Sequence, residues 1–357
     1  MRDRRAGSTA ALAARKRYNA LRMKRMRYAR CALLLAAFLP AEAQTGLTLV
    51  GAGYVLPTKM HVAPGQVITI YMAGMTTILS PGSRLRRATS VPLPKTLAGF
   101  AVKVRQGTNT YSAPLLTVQQ TPVCSESNSS SADCYMTALT VEIPIELAPA
   151  IPTHPAPPPA DLIVNDNGTD SKPFPLMPVV DNIHVITLCD VQVRGPSDRS
   201  CPALVLHADG TVVSPTVPAK AGEEVVIYAF GLGQTTPLVK TGDPTPLPAP
   251  TVAGGKASSR TVSIEFDFGP NATPSYPYVN PVSSKPVLPT PEFVGLTAGF
   301  VGLYQINVKL PDKFPRVPRC SLYGSPAAEI NVVHTNLTVN IGGVSSFDGA
   351  ETCDEPN

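Results

Sequence analysis

The chain has 357 residues, of which 39 are Pro, 26 are Gly, none is Trp and only 15% are charged. This length allows about two domains. Pro and Gly together stay below the roughly 25–30% that marks low-complexity sequence, so with 43% apolar residues the chain is predicted to fold. The formal net charge of +5 does not indicate a nucleic-acid-binding protein, because the excess of basic residues lies in one N-terminal segment.

Residues 1–43 have the three parts of a secretory signal peptide. Residues 1–30 carry eleven Lys/Arg and one acidic residue, an apolar run begins at Cys31, and Ala41-Glu42-Ala43 forms the cleavage motif. The apolar run is shorter than the ~20 residues of a transmembrane helix. Cleavage after Ala43 would remove eleven basic and two acidic side chains and leave a net charge of −4. We therefore expect a secreted or cell-surface protein that has no integral membrane segment after cleavage and no nucleic-acid partner.

Short β-branched segments with alternating apolar and polar residues follow, and turn residues separate them. Asn167-Gly168 is typical of a hairpin turn, because it supplies positive φ. We find no sustained helical periodicity after the leader, so the sequence predicts an all-β fold. In chain order, the predicted strands and hairpins fall at residues 66–71, 101–105, 139–143, 161–168, 224–228, 261–268, 303–310 and 336–343.

One sequence unit occurs twice. Residues 63–75 and 220–232 each contain a turn Gly, a β-branched run that ends in Tyr, and a second Gly. A repeated pattern indicates a repeated supersecondary unit. We therefore predict two domains of one topology, residues 44–190 and 200–357, with the junction at 191–200. Two further pairs of segments support the duplication: 92–99 with 246–254, and 162–168 with 337–343.

Six cysteines remain after removal of the leader, and an even number in an exported chain predicts disulfides. Six cysteines allow fifteen connectivities. Because short loops close most easily, we favour three local bridges, of which the second would stiffen the predicted junction. The sequence has no C-x-x-C motif and no His at zinc-finger spacing, so zinc is not predicted. The favoured pairs are Cys124–Cys134, Cys189–Cys201 and Cys320–Cys353.

Residues 203–215, 218–233 and 295–311 together resemble a C-terminal domain of uncharacterised secreted proteins from soil Acidobacteria of the Solibacter type. The most specific element is the string Gly-Leu-Tyr-Gln-Ile-Asn-Val at 302–308. The resemblance covers roughly residues 200–346; the first unit is similar to a more divergent relative that lacks this string. It implies an immunoglobulin-like, IPT/TIG-type sandwich used as an extracellular module, and it implies no catalytic residues. The expected fold is therefore all-β, with two tandem immunoglobulin-like β-sandwich domains.

Motifs for catalysis, cofactors and metals are weak in this chain. The sequence Gly231-Leu-Gly lacks the third Gly of a dinucleotide loop, and the turn at 165–168 lacks calcium ligands at the flanking positions. We predict no catalytic, cofactor or metal residues. Three side chains remain candidate ligand contacts: Tyr276 and Tyr278 in a Pro-rich loop, and His207, for which a structural role in a turn is the stronger interpretation.

Two functions from different classes are compatible with the sequence. The favoured one is an exported, non-catalytic β-sandwich protein with a structural, adhesive or binding role at the cell surface, its partner an unknown surface protein or glycan. The alternative is a secreted hydrolase with an acidic site between the two domains, using residues such as Asp209 and Asp243. Because enzymes cluster their titratable groups, an interdomain cleft that holds paired carboxylates would favour the hydrolase.

Overall fold

The computed structural model describes residues 48–52, 60–124, 131–151, 157–187, 190, 203–214, 216–252, 262–266, 289, 291–313, 337–341 and 344–345. All of them belong to one compact unit, Leu47–Asn357. The predicted signal peptide lies outside the described residues, as do Cys189, Cys201, Tyr276, Tyr278, Cys320 and Cys353.

Residues 48–178 form a first β-sandwich of twelve described strands. In chain order these are β1 (Thr48–Ala52), β2 (Met60–Val62), β3 (Val67–Ala73), β4 (Leu85–Arg87), β5 (Thr96–Leu97), β6 (Phe100–Gln106), β7 (Asn109–Ala113), β8 (Leu115–Pro122), β9 (Tyr135–Glu142), β10 (Ala160–Asp166), β11 (Thr169–Asp170) and β12 (Phe174–Pro178). One sheet has the order β1-β3-β9-β8-β4; the other has β2-β12-β10-β6-β5, with β7 beside β6 and β11 beside β10.

The first core lies between these two sheets, as the alternation of the strands predicts. Along β6 the side chains of Phe100, Val102 and Val104 are buried, and the residues between them are partly exposed. The facing positions of β10 show the same period of two. The hairpin predicted at 165–168 is confirmed, because β10 and β11 pair across the Asn167-Gly168 turn.

The second sandwich begins at residue 184 and contains the remaining ten described strands. These are β13 (His184–Val185), β14 (Val205–His207), β15 (Glu224–Phe230), β16 (Thr235–Thr236), β17 (Thr251–Val252), β18 (Val262–Phe266), β19 (Phe293–Leu296), β20 (Tyr304–Lys309), β21 (Leu337–Ile341) and β22 (Val344–Ser345). One sheet has the order β13-β15-β20-β19-β17-β16, with β14 also on β15, and the other has β18-β21-β22.

Both sandwiches have the strand order of the immunoglobulin fold, in which one sheet is A-B-E-D and the other contains C-F-G. In the first sandwich these sheets contain β1-β3-β9-β8 and β6-β10-β12; in the second they contain β13-β15-β20-β19 and β18-β21-β22. The prediction of an all-β fold with two sandwiches is therefore confirmed. The duplicated units at 63–75 and 220–232 supply strand B of the A-B-E-D sheet, which is β3 in the first sandwich and β15 in the second.

The border between the sandwiches lies earlier than the sequence indicated. The strand β13, which we placed in the first domain, pairs with β15, and Ile183 and Val185 belong to the second core. Thr187 and Ala203, on the two sides of the expected junction at 191–200, bridge each other. Both flanks of that segment therefore belong to the second sandwich, and the chain passes between the sandwiches near residues 179–182.

The matched segments 92–99 and 246–254 lead into a two-residue strand in both sandwiches. β5 follows residues 92–94 in the first sandwich, and β17 follows residues 246–248 in the second. The two short strands pair differently, β5 with β6 and β17 with β19. The sequence match therefore marks corresponding short strands whose partners differ. Within the described residues, no helix is long and apolar enough to span a membrane.

Candidate functional site at the junction of the two sandwiches

The buried amide of Gln66 fixes the chain where it leaves the first sandwich. The Gln66 side chain precedes β3 and is fully buried; its Oε1 accepts the backbone N–H of Ala63 at 2.9 Å, and its Nε2 donates to the carbonyl of Asn182 at 3.2 Å. Asn182 donates its own backbone N–H to Gly231 O at 2.8 Å. A residue of the connecting segment is thus bonded to both sandwiches.

The segment that follows β15 runs along the first sandwich. Gln234 Nε2 donates to the carbonyl of Ile145 at 3.0 Å, and the Ile145 N–H donates to Thr241 Oγ1 at 2.9 Å. The Thr241 hydroxyl in turn donates to Glu146 Oε2 at 2.6 Å. These bonds fix residues 234–242 of the second sandwich against the residues that follow β9.

Glu142, the last residue of β9, is a buried acid at this junction. It is 4% exposed, and its Oε2 accepts the backbone N–H of Gly242 at 2.5 Å. Burial raises the pKa of Glu142 to about 8; the Gly242 N–H opposes this rise, while the nearby charges of Glu146 and Asp243 add to it. The carboxyl group is therefore mostly protonated at neutral pH.

Close backbone packing adds to these hydrogen bonds. Gly302 has φ +65, and a Cβ added there would lie 2.8 Å from the carbonyl oxygen of Gly65 and 2.8 Å from Val67 Cγ2. Gly231, at φ +77, packs against the Asn182 carbonyl. Glycine is needed at both positions because the backbones approach too closely for a side chain. The two sandwiches are thus held together by direct main-chain contact.

A groove of about 450 Å³ opens beside these contacts. One wall is the segment from Pro92 to Lys95 with Pro114, and a second is 110–112 of β7. Glu146, Thr241 and Asp243 form the third wall. The carbonyl of Gly242, which lies between Thr241 and Asp243, accepts the Leu93 N–H at 2.8 Å and so connects the first and third walls. We name this feature the junction groove.

The lining of the junction groove is polar and unevenly charged. Two acidic residues, Glu146 and Asp243, and one basic residue, Lys95, contribute to it. Within the described part of the chain, none of the three has an ion-pair partner within 4.0 Å. Hydroxyl groups and the half-buried ring of Tyr111 complete the surface. Such a surface can hydrogen-bond a polar ligand and attract a cation.

The structure brings together only part of the site proposed from the sequence. Asp243 lines the groove, but Asp209 lies in the turn after β14, where its Oδ1 accepts the N–H and hydroxyl of Thr211. These bonds, the backbone one above all, lower the pKa of Asp209.

His207 bonds Glu223 Oε1 at 2.9 Å and the Val217 carbonyl at 3.2 Å, and its backbone N–H donates to Thr211 O. His207 therefore helps to hold its turn, and its predicted ligand contact stays a prediction.

The disulfide predicted between Cys124 and Cys134 is confirmed, with Cα atoms 5.0 Å apart. It joins the end of β8 to the start of β9. The bridges predicted for the other two pairs, and the contacts predicted for the two tyrosines, lie outside the described residues and stay predictions.

Sequence reasoning missed Glu142, Glu146 and Thr241. The alternation that predicts a strand at 139–143 does place Glu142 at its end, inside the apolar run from Val141 to Leu147. Two acidic residues in such a run indicate carboxyl groups at a buried boundary. Their partners Thr241 and Gly242 lie about 100 residues further along the chain, and no local pattern connects them.

Comparison with protein-family models, with curated proteins and with solved structures finds no match to this chain. A function is therefore inferred from the residues and geometry of the junction groove.

Proposed function

We propose that this protein is an exported, non-catalytic module of two immunoglobulin-like sandwiches that binds a surface protein or a glycan in the junction groove. The observation that carries the proposal is the groove itself: both sandwiches supply its walls, and hydrogen bonds hold those walls in place. Its volume falls in the range of about 300–1,000 Å³ that is usual for ligand sites. A groove that is already assembled binds without a large ordering cost.

Export and a surface location are supported by the three-part pattern of residues 1–43 and by the resemblance of residues 200–346 to secreted modules. The bridge between Cys124 and Cys134 fits an oxidising compartment. We expect the protein recovered from the periplasm or the medium to begin at Gln44, which N-terminal sequencing would establish. An intact leader on soluble cytoplasmic protein would contradict export.

A secreted hydrolase is the second candidate, and one observation favours it. Glu146 and Asp243 line one groove close to Glu142, which has a raised pKa, and enzymes use neighbouring acids in different environments as proton donor and acceptor. However, Glu142 accepts the Gly242 N–H and is not part of the groove lining. The acid whose pKa is raised therefore serves the junction, and we favour binding without turnover.

One pair of matched variants separates these functions. Glu146→Gln/Asp243→Asn removes both carboxylates of the groove, and Asp170→Asn/Asp209→Asn removes two carboxylates outside its lining. Labelled protein is applied to a glycan array and to the native outer surface. We expect the groove variant to lose at least tenfold in affinity, as when charge-assisted hydrogen bonds are removed, while the control variant binds as the unmodified protein does.

The same proteins are then screened with chromogenic glycosides and esters and with labelled peptides. Turnover by the unmodified protein that disappears in the groove variant would establish the hydrolase and overturn the non-catalytic proposal. Equal surface binding by both variants would show that the ligand site lies elsewhere.

A further inference from the structure

One wall of the junction groove is an unpaired strand edge. The strand β7 pairs with β6 on one side, and no other described strand pairs with β7. Residues 110–112 of this strand line the groove. An exposed edge presents backbone N–H and C=O groups to which another strand can bond.

The register of the hairpin determines which groups face outward. β6 and β7 join through the two-residue turn of Gly107 and Thr108, and Gln106 pairs with Asn109. Antiparallel pairs alternate between bonded and non-bonded positions, beginning with the bonded pair that closes such a turn. Tyr111 therefore bonds β6, whereas the backbone groups of Thr110 and Ser112 point away from it. Neither residue has another hydrogen-bond partner among the described residues.

The charge of the groove lining limits what can occupy this edge. Glu146 and Asp243 give the groove two carboxylates against the single ammonium group of Lys95, and neither carboxylate is paired with a cation of the described chain. Glu146 Oε2 is already held by the Thr241 hydroxyl, so this carboxylate is fixed in position. A ligand that carries Lys or Arg would meet both carboxylates.

From these observations we propose that the junction groove binds an extended peptide segment of a partner protein, which adds to the free edge of β7 as a further strand and places a Lys or Arg side chain against Glu146 and Asp243. This inference rests on the proposed binding function and names its ligand class. Strand addition obtains affinity from main-chain hydrogen bonds and selectivity from alternate side chains. The bonds would involve the outward groups of Thr110 and Ser112.

The test uses a displayed library of random heptapeptides selected on the full chain. We expect enrichment of Lys or Arg within β-branched sequences. Ser112→Pro removes the outward N–H from an edge position where proline is tolerated, and Ser112→Ala removes only the hydroxyl. Selected peptides should bind Ser112→Pro at least tenfold more weakly than they bind Ser112→Ala. N-methylation of alternate peptide amides, which needs no protein variant, should cause a similar loss.

The outcomes separate this inference from the proposed function. Equal binding to Ser112→Pro and Ser112→Ala, or affinity unaffected by N-methylation, would overturn strand addition. Binding of glycans in the groove with no peptide selected would also overturn it while leaving the binding function intact. Selection of neither peptides nor glycans, with no surface binding, would overturn both.

Discussion

At the residue scale, Glu142 shows two opposing effects on one carboxyl group. A backbone N–H that donates to a carboxylate stabilises the charged form, whereas burial destabilises it. Here burial is the larger effect, because the group is 4% exposed and Glu146 and Asp243 lie close enough to repel its charge. The junction therefore contains a carboxyl group that keeps its proton at a pH where exposed glutamates have lost it.

We predict that Glu142 makes folding stability fall as pH rises. Its pKa is about 8 in the folded protein, against 4.5 for an unperturbed glutamate, so its contribution to stability is fully present below about pH 4.5 and is lost as pH rises through 8. Between these values the free energy of unfolding should fall by up to about 1.4 kcal/mol per pH unit relative to Glu142→Gln, which cannot ionise. Urea denaturation of both proteins from pH 5 to 9 measures this difference.

The exposed Glu146 provides the matched control for this measurement. Glu146→Gln should leave a clear dependence on pH, since the buried carboxyl group remains. Parallel stability curves for the unmodified protein and Glu142→Gln would contradict the assigned protonation.

At the element scale, strand order and disulfide placement reinforce each other around β8 and β9. These strands pair from Leu115 with Val141 to Pro122 with Tyr135, and the Val123 N–H continues the pairing to Cys134 O. The bridge between Cys124 and Cys134 closes the open end of this pair. The disulfide therefore restricts the loop that connects two adjacent strands, whereas the core depends on how the strands pack.

We predict that Cys124→Ser/Cys134→Ser lowers the free energy of unfolding without changing the fold. The cysteines are 10 residues apart, for which chain-entropy reasoning gives about 2.5 kcal/mol. Equilibrium urea unfolding measures the loss. Val123→Ala, at an exposed neighbouring position, is the control and should change stability by less than about 0.5 kcal/mol. A double variant as stable as the unmodified protein would show that the bridge does not restrict the unfolded chain.

At the scale of the whole molecule, the two sandwiches are joined more firmly than a flexible linker would join them. Tandem domains are expected to move unless their interface is substantial. Here the contacts include the buried Gln66 amide, the Thr241 hydroxyl and the close approach of Gly302 to Gly65. The groove walls depend on these contacts, so a change in the junction should alter both stability and ligand binding.

Two glycines in one loop provide a matched test of this coupling. Gly302 and Gly299 both have positive φ, but a Cβ at Gly302 would meet Gly65 O at 2.8 Å, whereas a Cβ at Gly299 has open space within 4 Å. Gly299→Ala should show only the cost of a left-handed alanine, about 1 kcal/mol. Gly302→Ala should lower the free energy of unfolding by about 1–3 kcal/mol more, because the added methyl group overpacks the contact.

If the Gly302→Ala substitution separates the two sandwiches, differential scanning calorimetry should show two separate unfolding transitions for this variant. Equal destabilisation by the two alanines would show that the contact between Gly302 and Gly65 contributes nothing to the junction.

The sequence by itself determined the fold class, the duplication and one disulfide, because these depend on local patterns. Alternating apolar residues along β6 and β20 fix which faces are buried, and Asn167-Gly168 fixes a turn. The spacing of Cys124 and Cys134 places both at the ends of neighbouring strands.

Only the tertiary structure decided where the sandwiches divide and which residues line the junction groove. The pairing of β13 with β15 moved the border, since a two-residue strand has too weak a pattern to be assigned from sequence. Thr110, Glu146 and Asp243 meet in one groove because two separate cores hold them there. The protonation of Glu142 likewise depends on its burial and on residues about 100 positions away. Sequence periodicity reports which face of a strand is buried, but contacts between distant segments arise only when the sandwiches pack.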